Sequence, residues 1–491
     1  MVFANLFFLF AFLPAFALTY ILAGWLDKKL SPSKTTAYNK CKNMALVIFS
    51  LIFYAWGEPF YVFLMLISVL INYLCGLLID RQDRHRKAML VFGVICNVLI
   101  LSTFKYTGMI VETLNAFNLN VPDPHVLLPI GISFYTFQSI SYLVDVYKRE
   151  APVQTNYFDL LLYISMFPQL IAGPIVRYDT VANEIHNRTV TSKDIYDGIF
   201  RFIYGLGKKV ILANQMSLIA QQFLTNQGFA DCTTSGAWIG ILAYSMQVYF
   251  DFSGYSDMAI GIGRCLGFHF NENFTHPYCC DTITDFWHRW HKSLGSFFRD
   301  YVYIPLGGNR RHQWFNIMAT WFLTGLWHGA SWNFVLWGLY FGVILLIEKY
   351  TIMHRIHGDK QNLIKNHIPA VLLHIYALAI ILLGRGLFYF PDFGEMQQFF
   401  VKAFGGAAEL HNYATISAIL DNFWLWLVCI LFCMPVRQKA YEWFTRWKSP
   451  ESTACRSVVF STRLVVSVVI IGLSVALLVG NTYNPFIYTR F

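Results

Sequence analysis

The chain is poor in charge. Lys, Arg, Asp and Glu supply 13% of its 491 residues, about half of the roughly 25% usual in soluble domains. With 56% hydrophobic and 18% aromatic residues, this excludes a disordered chain, a coiled coil and a collagen. It also excludes a soluble globule, because burial at this size tops out near ~75% of the surface. Short alternating strands are lacking, which excludes a membrane β-barrel. The ten cysteines contain no CxxC pair, so neither a zinc ribbon nor a disulfide framework is indicated, and the thiols read as buried and reduced. No repeat of fixed period occurs, so the chain is no solenoid. No Gly/Ser linker or low-complexity segment divides it, and residues 1–491 read as one domain. What remains is an all-α, polytopic membrane protein.

Apolar segments run at about 3–26, 44–56, 60–79, 88–104, 127–146, 158–176, 199–223, 236–262, 314–347, 368–390, 416–435 and 464–482. At ~20 residues per crossing they suggest roughly 10–12 embedded helices, several too short or interrupted to span singly. Residues 1–25 lack a basic n-region and read as a retained first membrane helix. The net charge of +9 is best explained by Lys and Arg in cytoplasmic loops, without nucleic-acid binding. Residues 27–42 carry Lys28, Lys29, Lys34, Lys40 and Lys42, and residues 80–87 carry Arg81, Arg84, Arg86 and Lys87. Both loops can be cytoplasmic if the stretch between them turns at Gly57-Glu58-Pro59, which places the N-terminus outside.

Two regions depart from this pattern. Residues 285–311 concentrate Asp285, Arg289, Lys292, Arg299, Asp300, Arg310 and Arg311, with His288 and His291 in addition. Residues 313–347 contain no Asp, Glu, Lys or Arg. As one straight helix they would run on the order of 50 Å, longer than a hydrocarbon core of ~30 Å. The segment must therefore break, with Gly325, Gly329 and Gly338 as the places, and His328 lies among them. Broken helices at membrane depth line cavities. An ionisable residue there is a functional candidate, and a neutral imidazole can take a proton from a hydroxyl. A histidine satisfied by a helix–helix hydrogen bond is the equal alternative.

His288 and His291, spaced i, i+3, share a helix face. With His312 or His328 they could form a metal site, but the absence of a nearby carboxylate set argues against a metal. A better reading has one histidine facing a reaction chamber and the other an interface or solvent. Asp251, Ser253, Tyr255 and Asp257 place carboxylates and hydroxyls inside an apolar run, where they could organise a cavity or simply accompany close packing through small residues.

The blocks FSGYSDMAIGIGRCLGFHFNENFTHPY, DFWHRWHKSLGSFFRDYVYIPLGGNRR and TGLWHGASWNFVLWGLYFG resemble the membrane-bound O-acyltransferase superfamily. Within it the chain looks like the alginate O-acetyltransferase-like branch. The resemblance is specific between about 125 and 345, where PIGISFYTFQSISYLVDVY and FPQLIAGPIVRY also match. The Trp-His-Gly motif implies that His328 is the principal catalytic histidine, and Arg-Trp-His-x-Ser-Leu implies His291 as the second; His288 receives no role. The run Leu306-Gly307-Gly308-Asn309-Arg310 leans toward acetyl transfer over the related D-alanyl transfer to teichoic acid.

The resemblance implies helices wrapped around a central tunnel and acetyl-CoA as a cytoplasmic donor substrate, with no bound cofactor. It further implies an extracytoplasmic polysaccharide acceptor, alginate-like or peptidoglycan, and the bacterial inner membrane as location. A periplasmic or membrane-tethered esterase-like acetyltransferase is the implied protein partner. His328 would deprotonate a hydroxyl, and His291 would act as a second base or hold the carbonyl oxygen as it gains charge. Arg310 and Arg311 are candidates for the CoA phosphates. Two alternatives stay open at this point: a glycan transporter or flippase without chemistry, and a related O-acyltransferase acting on teichoic acid, a lipid or a protein.

Overall fold

A computed structural model describes residues 1–30, 39–81, 84–353, 369–447, 453–480 and 486. Every regular element among the described residues is helical. Among the described residues six helices are long and apolar enough to cross a membrane, namely Phe8–Leu30, Tyr61–Arg81, Arg86–Lys105, Trp332–Thr351, Ala370–Tyr389 and Ser457–Val479. The pair Tyr413–Leu420 and Phe423–Cys433, bent by 61°, makes a seventh if it counts as one span. This is fewer than the apolar runs of the sequence. Several of those runs form helices such as Lys40–Ala55 and Ile132–Lys148, of 16 and 17 residues, or shorter pieces such as Tyr157–Ser165 and Phe167–Leu170. The chain is a multi-pass, all-α membrane protein.

By contacts the chain forms two compact units. The first comprises Met1–Leu206, Tyr255–Glu272 and Leu478–Phe491. Asp27 starts its second helix: the carboxylate accepts from the backbone N–H groups of Cys41 at 2.8 Å and Lys42 at 3.1 Å, where helix-end donors would otherwise lack partners. Asn72 and Asn97, buried on two spanning helices, exchange amide hydrogen bonds of 3.1 and 2.7 Å, a polar tie between helices that apolar burial alone would not hold in lipid. Asp257 and Glu272 both pair with Arg201, at 2.9 and 2.5 Å.

The second unit comprises Gly207–Gly254 and Asn273–Leu477. The uncharged stretch breaks as its length requires, into the helices Gln313–His328 and Trp332–Glu348. Gly329 follows in an extended conformation. The two helices return against each other through glycine: a Cβ on Gly338 would stand 3.0 Å from Gly325 Cα and strike the Trp321 carbonyl, and one on Gly325 would strike the Phe334 carbonyl. Gly325 and Gly338 are thus the contact of the hairpin, and Gly329 is its break. Asp251 pairs with Lys209 at 2.5 Å, both buried. The carboxylates of the 251–257 run are accordingly held in ion pairs.

Candidate active site

The second unit carries both histidines on interrupted helices. The helix Ile283–Arg289 is anchored at its start by Glu348. That fully buried carboxylate accepts from Ile283 N at 2.6 Å and from Thr284 N and Oγ1 at 2.8 and 2.6 Å. A carboxylate on the free N–H groups of a helix start forms charge-assisted bonds and opposes the helix dipole favourably. Thr282 caps the same end, accepting from Asp285 N at 3.0 Å.

This helix stops at Arg289, and the chain turns before Lys292–Phe298 begins. His291 occupies the turn with φ 45° and ψ 53°, the left-handed region that a non-glycine residue enters only where its surroundings impose it. The shared helix face expected for His288 and His291 therefore does not exist. His288 is exposed, whereas His291 is 1% exposed. One histidine is thus buried and the other exposed, by a broken helix and not by rotation about a continuous one.

Asn273 makes the turn. Its backbone carbonyl accepts from Lys292 N at 3.0 Å. Its side-chain Oδ1 accepts from Ser293 Oγ at 2.9 Å and Ser293 N at 3.3 Å, and lies 3.1 Å from His291 Nδ1. A backbone N–H only donates, so its contact fixes which end of the amide is oxygen. That oxygen only accepts, so His291 carries its proton on Nδ1. Nε2 is left with a bare lone pair, buried and without a hydrogen-bond partner among the described residues. Burial drives the pKa down to about 3, because an imidazolium would lose its hydration. His291 is a neutral base in a fixed tautomer.

His328 ends the first arm of the hairpin, 2% exposed. Trp327 and Trp337 pack on its ring at 4.8 Å and Phe388 at 5.3 Å. Trp327 also meets the His291 ring at 5.8 Å, and Phe252 closes on that ring at 4.6 Å. The structure thus brings both histidines to one tryptophan inside an aromatic shell. Asn333 donates to the carbonyls of Leu387 and Phe388, both at 3.3 Å, tying the second arm to the end of the helix Ala370–Tyr389.

Arg310 and Arg311 lie elsewhere. They are exposed on the turn before Gln313, at the far end of a 16-residue helix from His328, a length of about 24 Å. Gly307 and Gly308 enter that turn with φ 116° and 56°. Asn316 closes it, donating to the carbonyls of Gly308 at 2.9 Å and Arg311 at 2.7 Å. Lys349 joins it through Asn309 Oδ1 at 3.1 Å. The result is an exposed basic turn. His312 shares it, so it does not converge with His328. Among the described residues no three of His, Cys, Asp and Glu are placed to hold a metal. Nine of the cysteines, Cys41 to Cys433, are free thiols.

Sequence reasoning missed Asn273 and Glu348, which act through hydrogen bonds to distant backbone. It also missed Arg385, buried in the spanning helix Ala370–Tyr389. Its signal was available, since an arginine inside an apolar run is costly without a purpose.

Comparison with known proteins agrees with this architecture. The profile of the membrane-bound O-acyltransferase family matches residues 123–380, which include both histidines. Probable alginate O-acetylases of Pseudomonas syringae pv. tomato and Pseudomonas putida are 42% and 41% identical over 360 residues, 71% of this chain and 66% and 71% of those proteins. A peptidoglycan O-acetyltransferase of Helicobacter pylori is 36% identical over 379 residues, 70% of this chain and 69% of that protein. The match therefore spans about two thirds of the length of these relatives. With two buried histidines on broken helices and a family profile covering more than half of its length, the chain belongs to the membrane-bound O-acyltransferase family.

Proposed function

We propose that this acyltransferase moves acetyl groups from cytoplasmic acetyl-CoA to hydroxyls of an extracytoplasmic polysaccharide, an alginate-like exopolysaccharide or peptidoglycan, from the bacterial inner membrane. The observation that carries the reading is the pair of buried histidines meeting at Trp327, one of them a neutral base in a fixed tautomer. The names of the relatives supply the acceptor class. His328 takes the proton of the attacking hydroxyl, and His291, with its free Nε2, serves as a second base in a relay. The aromatic shell around them has few groups to screen a charge and so strengthens each one that develops. Arg310 and Arg311 hold the CoA phosphates at the exposed basic turn, and the pantetheine arm reaches inward through a tunnel.

The acceptor polymer lies across the membrane from the donor, and positioning a long polymer against a buried site is entropically demanding. A periplasmic or membrane-tethered esterase-like acetyltransferase therefore receives the acetyl group and completes the transfer. Purified protein in liposomes supplied with labelled acetyl-CoA tests this. The expected result is slow loss of acetyl-CoA by the protein alone and fast polymer acetylation once the partner is added. Acetylation by the protein alone at the cellular rate would remove the partner from the scheme. No acetyl-CoA consumption under either condition would remove the donor.

A further inference from the structure

Arg385 is a buried cation in a membrane-spanning helix, only 5% exposed. Among the described residues no carboxylate pairs with it, and its Nε and Nη2 have no hydrogen-bond partner. Its guanidinium carbon stands 4.5 Å from the centroid of the Trp290 ring, and its charge acts on the nearby Tyr278 hydroxyl. The close approach is prepared in the sequence Gly384-Arg385-Gly386. A Cβ at Gly384 would stand 2.7 Å from the Phe341 ring, and one at Gly386 2.6 Å from the Phe399 ring. The helix is thereby drawn inward with its arginine held in place.

The position links the two histidines. Trp290, beneath the guanidinium, is the residue before His291. Phe388, one helical turn after Arg385, packs on His328. A desolvated charge without a counter-charge costs several kcal/mol, and such groups inside a membrane protein mark function. Two adjacent, unsatisfied N–H groups form the fork that binds an oxyanion in two parallel bonds. His291 cannot serve that purpose as a neutral group: its Nδ1–H is spent on Asn273 and its Nε2 has no proton to give.

We propose that Arg385 is the oxyanion-binding group of the acyl-transfer site. This rests on the acyl-transfer reading above. The acceptor oxygen bonds to the thioester carbonyl carbon while its proton passes to the histidine base. The carbonyl π pair moves onto the carbonyl oxygen, and that anion is held by Nε–H and Nη2–H of Arg385. Collapse restores the C=O bond and breaks the C–S bond. The thiolate leaves with the pair and takes the proton from the imidazolium, so the products are an acetate ester and the free thiol of CoA.

The test uses the full-length purified protein with R385M, which removes the charge at similar length, and R385K, which keeps the charge but loses the fork. R385M is expected to insert and melt like the parent, since an apolar group replaces an unpaired charge. Its kcat for acetyl-CoA consumption should fall about 100- to 1,000-fold with KM little changed, the size of losing oxyanion donors. R385K should fall about tenfold or more. A second readout needs no turnover: binding of S-carboxymethyl-CoA, whose carboxylate lies one carbon beyond the thioester carbonyl and within reach of the same fork, against S-acetonyl-CoA, the neutral ketone of the same length. The parent should prefer the anionic analogue, and R385M should lose that preference. If the parent consumes no acetyl-CoA, the functional reading fails, and the binding preference still decides the role of Arg385. Unchanged kcat in R385M or R385K, a change confined to KM, or an unchanged analogue preference would overturn the assignment. If R385M does not insert, R385K decides by its kcat.

Discussion

Asn273 offers the sharpest perturbation of the site. Its Oδ1 serves three donors: His291 Nδ1, Ser293 N and Ser293 Oγ. Replacement by Ala removes the acceptor while the site stays closed. The serine hydroxyl can rotate to another acceptor, whereas the imidazole N–H keeps only the long 3.4 Å contact to Ser293 Oγ and the backbone N–H cannot turn away. A buried donor left unsatisfied costs about 1–3 kcal/mol, so the variant should lose about 2–6 kcal/mol of stability by the same principle. It should also lose catalysis, because the tautomer that presents a bare Nε2 is no longer fixed; misorientation worth ~1.4–3 kcal/mol is a 10- to 100-fold fall in kcat. Asn273→Asp separates the two effects. It keeps every acceptor but sets a carboxylate beside the ring, which raises the His291 pKa from about 3. In the parent the folded pKa lies below the ordinary 6.5. The neutral ring therefore contributes fully above pH 6.5, and that contribution is lost as pH falls from there toward 3. In N273D the window narrows and the acid limb of the rate profile moves to higher pH. Thermal melting by tryptophan fluorescence and initial rates of acetyl-CoA consumption across pH read both. Parent-like melting and kcat in N273A would refute the tautomer argument.

Other predictions follow from the same contacts. Glu348→Gln leaves one side-chain oxygen for the Ile283 and Thr284 donors, so one buried N–H faces an amide donor; a loss of about 1–3 kcal/mol in stability is expected, measured by melting, together with reduced activity as the helix leading to His291 loosens. Arg310→Gln with Arg311→Gln should raise KM for acetyl-CoA about two- to tenfold with kcat kept, as exposed ion pairs are worth about 0.2–1 kcal/mol each, and the difference should shrink at high salt. His288→Ala, on an exposed side chain, should leave rate and stability near the parent values; a loss equal to that of His291→Ala would contradict the division between the two.

The break of the uncharged stretch was legible because it follows from length alone: no straight helix over 313–347 fits a bilayer. His328 was legible as the one ionisable group there, and His291 through the Arg-Trp-His-x-Ser-Leu block. The geometry joining them was not. Whether His288 and His291 share a face depends on a left-handed turn at His291, and that turn is imposed by Asn273, 18 residues earlier. Helical spacing carries no trace of it. Glu348 reaches the helix start at Ile283 across 65 residues of chain, and its role is invisible beside the apolar run it ends. The spanning helices are fewer than the apolar runs because lengths such as those of Lys40–Ala55 and Gln313–His328, both 16 residues, fall short of the ~20 needed to cross. Arg385 was readable and overlooked, since one charge barely lowers the hydropathy of a 20-residue run. The carboxylates at Asp251 and Asp257 read as possible cavity groups because sequence cannot show that Lys209 and Arg201 already hold them.

The central claim is that His328 is the base that opens acetyl transfer. The measurement that tests it most directly is the O-acetyl content of envelope polysaccharide in cells expressing His328→Ala at parental membrane abundance. The account predicts acetylation reduced about 100- to 10,000-fold, the usual worth of a positioned base. Near-parental acetylation from the stably inserted variant would contradict it.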